Sequence, residues 1–100
     1  MSRSILQRRL LDVSERLKRV RADLAVAAEQ LHFLEEESEE ARLRALVAET
    51  PLGDAEAREA RRHFEAMARY RQTLETTLTE LLAEQDTLLD RMATELSAQP

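Results

Sequence analysis

Cysteine and tryptophan are missing from this 100-residue chain, glycine occurs once, proline twice, and phenylalanine and tyrosine together three times. Without cysteine there is neither a disulfide framework nor a thiolate metal site, and the redox compartment leaves no trace. Three aromatics and 43% hydrophobic residues leave little material for a globular core. One glycine and two prolines mean few turns, so the elements are long. No run of about 18 apolar residues exists to span a bilayer. The first 20 positions carry five arginines and a lysine among leucines rather than the apolar stretch of a secretory leader. A cytoplasmic protein with no membrane partner is the expectation. A formal net charge of −5 and a pI near 5.1 argue against nucleic-acid binding through a broad basic face.

What is abundant is alanine, leucine, glutamate and arginine, all strong helix formers. Leu6, Leu10, Val13, Leu17, Val20, Leu24, Ala27, Leu31 and Leu34 recur at alternating steps of four and three. That spacing puts all of them on one seam of a helix, and such a seam exists to be covered by another helix. A second seam runs through Ala57, Ala60, Phe64, Met67, Arg71, Leu74, Leu78, Leu81, Gln85, Leu88 and Met92. The expected fold is all-α: one antiparallel two-helix coiled-coil hairpin over residues 1–100. Ser4 and Gln7 have capping-box spacing and start helix one at about residue 5, running to 49. Pro51 and Gly53 mark a turn over 50–53. Helix two starts either with Thr50 as N-cap and Pro51 at its first position or at 54 with Asp54 as the cap; the latter is preferred, with an end near 97. Each helix is then about 44 residues, or about 65 Å long at 1.5 Å per residue.

Placing the turn at Leu52 and Gly53 sets a register in which Val13 faces Met92, Leu17 faces Leu88, Leu24 faces Leu81 and Leu31 faces Leu74. Toward the turn Ala41 faces Phe64, Ala45 faces Ala60 and Ala48 faces Ala57, so the helices should close up there. The expected hairpin core is Leu10, Val13, Leu17, Val20, Leu24, Leu31, Leu34, Phe64, Met67, Leu74, Leu78, Leu81, Leu88 and Met92. Charge agrees with this orientation. Residues 1–24 carry seven positive and three negative side chains, and 73–100 carry six negative and one positive. The acidic run Glu35, Glu36, Glu37, Glu39 and Glu40 faces a stretch with Arg58, Arg61, Arg62, Arg69 and Arg71. A parallel dimer in register would set like charges together. Exposed pairs contribute only about 0.2–1 kcal/mol each, so they select orientation rather than supply stability.

Two helices cover one seam each, and several apolar residues lie off it. Leu82, Leu89 and Leu96 form a stripe at spacing seven on helix two, and Ile5 and Leu11 lie off the seam of helix one. Burying a leucine is worth about 1.5–3 kcal/mol, so these five residues are the expected self-association surface of a homodimer that forms a four-helix bundle. Leu43, Leu46 and Val47 drift from the seam after Ser38 and read as a local stutter. Val26 and Phe33 lie on a flank.

Chemistry is sparse. Glu29 with His32 has the spacing of a di-iron carboxylate–histidine pair, but such a site needs a second pair and two further carboxylates. Glu59 with His63 does not supply them, so both pairs read as surface residues. No nucleophile, base and metal set converges, which points to a non-enzymatic protein with no cofactor and no small-molecule substrate. Arg8, Arg9, Arg16, Lys18, Arg19 and Arg21 are the best candidates for contact with nucleic acid or an acidic partner, without the interleaved aromatics that single strands use. The turn presents Glu49, Asp54 and Glu56 around Leu52, a candidate partner-binding tip. That tip resembles the coiled-coil fingers of factors that enter the RNA polymerase secondary channel.

Fourteen arginines against one lysine, with abundant alanine and leucine, look like a high-GC genome. The stretches Arg42 to Leu52 (RLRALVAETPL) and Glu84 to Arg91 (EQDTLLDR) resemble uncharacterised small coiled-coil hairpin proteins of high-GC Gram-positive bacteria. In length and plan the chain is also similar to the secreted WXG100 hairpins. It departs from them in having no tryptophan at the turn and in Leu74, not an acid, four positions after Tyr70. The leading expectation is an interaction, scaffold or adaptor protein that binds itself and an unidentified protein partner. The alternatives are a transcription-associated regulator contacting RNA polymerase or nucleic acid through the acidic tip or Arg-rich first helix, and a WXG100-like secreted hairpin.

Overall fold

The computed structural model describes residues 2–98. The chain forms two helices, α1 (Arg3–Ala48) and α2 (Pro51–Ser97), and no strand occurs among the described residues. Both elements run uninterrupted because no proline or glycine falls inside either beyond the first turn of α2, and alanine, leucine, glutamate and arginine fill the rest. No helix among the described residues is long and apolar enough to cross a membrane.

Every boundary but the last differs from the expectation, by one to three residues, and the two helix starts do so for a local reason. Ser2 rather than Ser4 opens α1. The Ile5 N–H donates to Ser2 Oγ at 3.3 Å and the Leu6 N–H to the Ser2 carbonyl at 3.0 Å. Either serine has the oxygen for this, and the earlier one adds two residues to the helix. The reversal is shorter than expected, only Glu49 and Thr50 lying between the helices. Thr50, not Asp54, caps α2: its Oγ1 accepts from the Gly53 N–H at 3.1 Å, and its carbonyl from the Asp54 N–H at 3.1 Å. Pro51 then sits at the first helical position, where the missing N–H would have had no partner and the fixed φ is already helical. Asp54 lies in the first turn, where a carboxylate complements the helix dipole.

The reversal itself is made by Glu49, at φ 52°, while its N–H still bonds the Ala45 carbonyl at 3.1 Å. A left-handed residue after the last helical turn is the usual helix stop, and glycine is its usual occupant. A side chain there carries a penalty of about 1–2 kcal/mol, partly offset by the greater freedom glycine has when unfolded. Glu49→Gly is therefore expected to stabilise the protein by up to about 1 kcal/mol, read as a rise in thermal midpoint by circular dichroism. A loss of stability would show that Glu49 is not the hinge.

The chain divides into two compact units, Met1–Asp23 with Leu74–Pro100, and Leu24–Thr73. In the first, the buried side chains are large: Leu6, Val13, Leu17 and Val20 from α1, and Leu74, Leu81 and Leu88 from α2. They repeat at heptad steps, and Leu6 borders a groove with Asp90, Arg91, Thr94 and Glu95. Leu10, Leu78 and Met92, expected in the core, are half-buried, as a two-helix pair leaves its seam open on both flanks.

The second unit contains the turn and its two arms. Its buried residues are all small, Ala27, Ser38, Ala41 and Ala45, and all lie on α1. Leu24, Leu31, Leu34, Phe64 and Met67 are half-buried. Small residues let the backbones approach: a Cβ placed on Gly53 would lie 3.5 Å from Ala45 Cα and 3.8 Å from Ala48 Cβ. The register here is displaced by about one helical turn from the expected one. Ala41 shares a groove with Glu59 and Ala60, and Phe64 shares one with Ser38. Moving the reversal from 52–53 back to Glu49 and Thr50 draws α2 along α1 by that amount.

Ser38 does not interrupt the seam. From Leu34 the inward positions continue through Ser38, Ala41 and Ala45 with the alternation of four and three intact. Leu43, Leu46 and Val47 consequently point outward, and no stutter is needed.

Candidate interaction surfaces

Helical periodicity sorts the off-seam side chains into flanks. Leu82 and Leu89 each follow a buried leucine by one position, and Leu11 follows half-buried Leu10, which puts these with Leu96 on one flank of the first unit. All four are exposed. Ile5, also exposed, precedes buried Leu6 and so lies on the opposite flank. Of the five residues singled out for self-association, four therefore share one side of their helix pair.

In the second unit the flanks differ in charge. One carries a groove bordered by Ser38, Glu39, Arg42, Ala57, Arg58, Arg61 and Arg62. The opposite groove is bordered by Glu37, Ala41, Arg44, Glu56, Glu59, Ala60 and His63. Of the four arginines on this side, Arg58, Arg61 and Arg62 were visible in the sequence only as partners for the acidic run, and Arg42 not at all; the spacing of Arg61 and Arg62 from Arg58 by three and four was the available signal for a shared face. Two of them are already engaged. Arg42 forks onto Glu39, with Nη2 2.7 Å from Oε1 and Nε 3.2 Å from Oε2. That hydrogen-bonded pair holds the Glu39 carboxyl below its ordinary range and the Arg42 guanidinium above its own. Arg61 donates to Glu65 Oε1 at 2.9 Å and lies 5.3 Å from the centre of the Phe64 ring.

Four further ion pairs also run along a helix rather than across it. Lys18 reaches Glu15 at 3.6 Å, and Arg44 reaches Glu40 at 3.8 Å. His32 stands 3.1 Å from Glu36, and His63 3.6 Å from Glu59. Links of three or four positions close with little rotamer ordering, and exposed as they are each contributes only a few tenths of a kcal/mol. His32 thus turns to Glu36 rather than to Glu29. Among the described residues no three histidine, aspartate or glutamate side chains gather as metal ligands. The hydroxyls of Thr79, Thr87 and Thr94 donate to the carbonyls four residues back at 3.1 Å, and that of Thr73 does so at 3.2 Å.

At the turn, Leu52 is 70% exposed and Glu49, Asp54 and Glu56 are exposed with it. On α1 the outward Leu43, Leu46 and Val47 are 50%, 62% and 87% exposed, and a shallow groove is bordered by Leu43, Arg44, Val47 and Ala48. The apolar surface at this end is therefore larger than the single leucine that the sequence reading placed there. Comparison with protein-family models, with curated proteins and with solved structures finds no match to the chain.

Proposed function

We propose that this protein is a non-enzymatic interaction module, a coiled-coil hairpin that associates with a second copy of itself and offers a further surface to a protein partner. The observation that carries the reading is the exposed leucine flank of the first unit: Leu11, Leu82, Leu89 and Leu96 stand outside the seam, each at least a third exposed. Leu89 is 49% exposed beside Leu88 at 2%. A stripe of period seven is what a further helix covers in a bundle, and two copies joined flank to flank form four helices. Ile5, on the other side, extends the apolar surface without sharing that interface.

Sedimentation of the purified protein tests this directly. The expected mass is that of two 11.5 kDa chains, and Leu89→Glu is expected to give one, because it sets a carboxylate into the centre of the joined stripe. A wild-type protein at the mass of one chain across the micromolar range would end the dimer reading.

A second reading, a regulator that contacts nucleic acid or an acidic partner, is favoured by the exposed cations of α1. Arg8, Arg9, Arg16, Arg19 and Arg21 have no ion-pair partner among the described residues, and only Lys18 has one, in Glu15. Binding to DNA or to RNA polymerase that persists at about 150 mM salt would support it, since screening removes nonspecific attraction.

A further inference from the structure

The second unit sorts its charge unevenly. It holds seven arginines and eleven carboxylates, yet the groove between Arg42 of α1 and Arg58, Arg61 and Arg62 of α2 gathers four of the former against one of the latter, Glu39. The opposite groove is bordered by three carboxylates and a single arginine. Guanidiniums three and four positions apart on one helix repel, so the cluster weakens α2 rather than supporting it. Within the chain it is only partly neutralised. Arg42 engages Glu39 through Nε and Nη2, which leaves Nη1 outside that fork, and Arg61 gives Glu65 its Nε alone. Arg58 and Arg62, both exposed, have no hydrogen bond or ion pair among the described residues.

Size and charge together define the occupant. Arg58 and Arg62 lie one helical turn apart, about 6 Å along α2. Buried Ser38 and half-buried Ala57 border the groove with small side chains, which leaves room among the guanidiniums. Beyond Arg61 the surface runs on into a groove that shares Ser38, Glu39 and Arg61 and is bordered also by Glu35, Glu36 and Phe64. Carboxylates there repel a long polyanion, so a nucleic-acid strand or an acidic helix laid along this surface loses at one end what it gains at the other. A compact anion confined to one turn has no such loss. Guanidinium forks match phosphate oxygens bidentately, and linked phosphoryl groups place several oxyanions within that turn.

We propose that the groove of Arg42, Arg58, Arg61 and Arg62 binds, as a ligand rather than a substrate, a small molecule with linked phosphoryl groups, a di- or triphosphate. The proposal goes beyond the reading of the chain as an interaction module and does not depend on its dimerisation, which keeps its own test in the sedimented mass. The probe is inorganic triphosphate, titrated into the full chain at about 50 mM salt, where screening of an exposed site is modest. Binding is read by calorimetry and by amide chemical shifts, with sulfate and a short single-stranded DNA as comparisons. Shifts are expected at residues 38–42 and 57–62. Arg58→Gln/Arg62→Gln should bind triphosphate at least ~10-fold more weakly, with a melt at or slightly above the wild type's because repulsion along α2 is relieved. Arg44→Gln/Arg69→Gln, which removes the same charge from the same unit outside the groove, should stay within ~2-fold of the wild type, as should Leu89→Glu. Tighter binding of adenosine triphosphate would assign a nucleotide as the source of the phosphoryl chain, and equal or weaker binding the inorganic chain. Absence of binding at millimolar triphosphate, equal weakening by the two double variants, equal affinity for sulfate, tighter binding of the DNA, or shifts centred on residues 8–21 would each overturn the proposal.

Discussion

Truncating Leu88 to alanine is expected to lower the free energy of unfolding by about 2–5 kcal/mol, the range for deleting a buried leucine side chain when the surroundings cannot close the gap. At about 4–8 °C per kcal/mol for a chain of this size, the thermal midpoint falls by roughly 10 °C or more. Leu88 is 2% exposed and belongs to the set of large side chains that hold the first unit together. No third layer exists from which a neighbour can move in. Leu89, one residue on and 49% exposed, supplies the control. Its change to alanine should shift stability by no more than about 0.5 kcal/mol when the protein is dilute enough to be monomeric. Thermal and urea melts at low concentration decide the matter. Equal losses from the two substitutions would mean that the seam is not where α2 places it.

The second large effect is expected from adding volume. Ala45 is buried on α1, and its Cα would lie 3.5 Å from a Cβ on Gly53. Ala45→Leu puts an isobutyl group into that approach, and overpacking of this kind destabilises by about 1–3 kcal/mol. The helices must separate near the turn or the new side chain must leave its rotamer. Leu46→Ala, one position further and outward, should leave the melt nearly unchanged. If Ala45→Leu were tolerated as well as Leu46→Ala, the close approach of the two backbones at the turn would be refuted.

The seam was readable because a heptad of leucine and valine admits few other arrangements. Leu6, Val13, Leu17, Val20, Leu74, Leu81 and Leu88, all placed on a seam from spacing alone, are buried. Leu82, Leu89, Leu96, Ile5 and Leu11 were read as off-seam from the same periodicity and are exposed. The turn was harder. Pro51 and Gly53 both look like breakers, yet Pro51 is at home at the first position of a helix and Gly53 sits inside it. The residue that actually turns is Glu49, for which no composition rule argues, since a left-handed glutamate is tolerated only because its surroundings over-determine it. A separate feature concealed the outward side chains of α1 near the turn. With Ser38 taken as an interruption, Leu43, Leu46 and Val47 passed for a drifting seam; with Ser38 in the seam, they face outward.

Periodicity alone therefore determined that the chain is two long helices, and which side of each turns inward, because a seven-residue repeat on a helix has one phase. It did not determine how far one helix lies along the other. Sliding the pair by a turn exchanges one apolar neighbour for the next at nearly constant burial, so the repeat is indifferent to it. Only the packed turn decides: the left-handed Glu49, the Thr50 cap and the close approach of the backbone at Gly53 to Ala45 anchor α2 to α1 at one point, and the register of the second unit follows from that anchor.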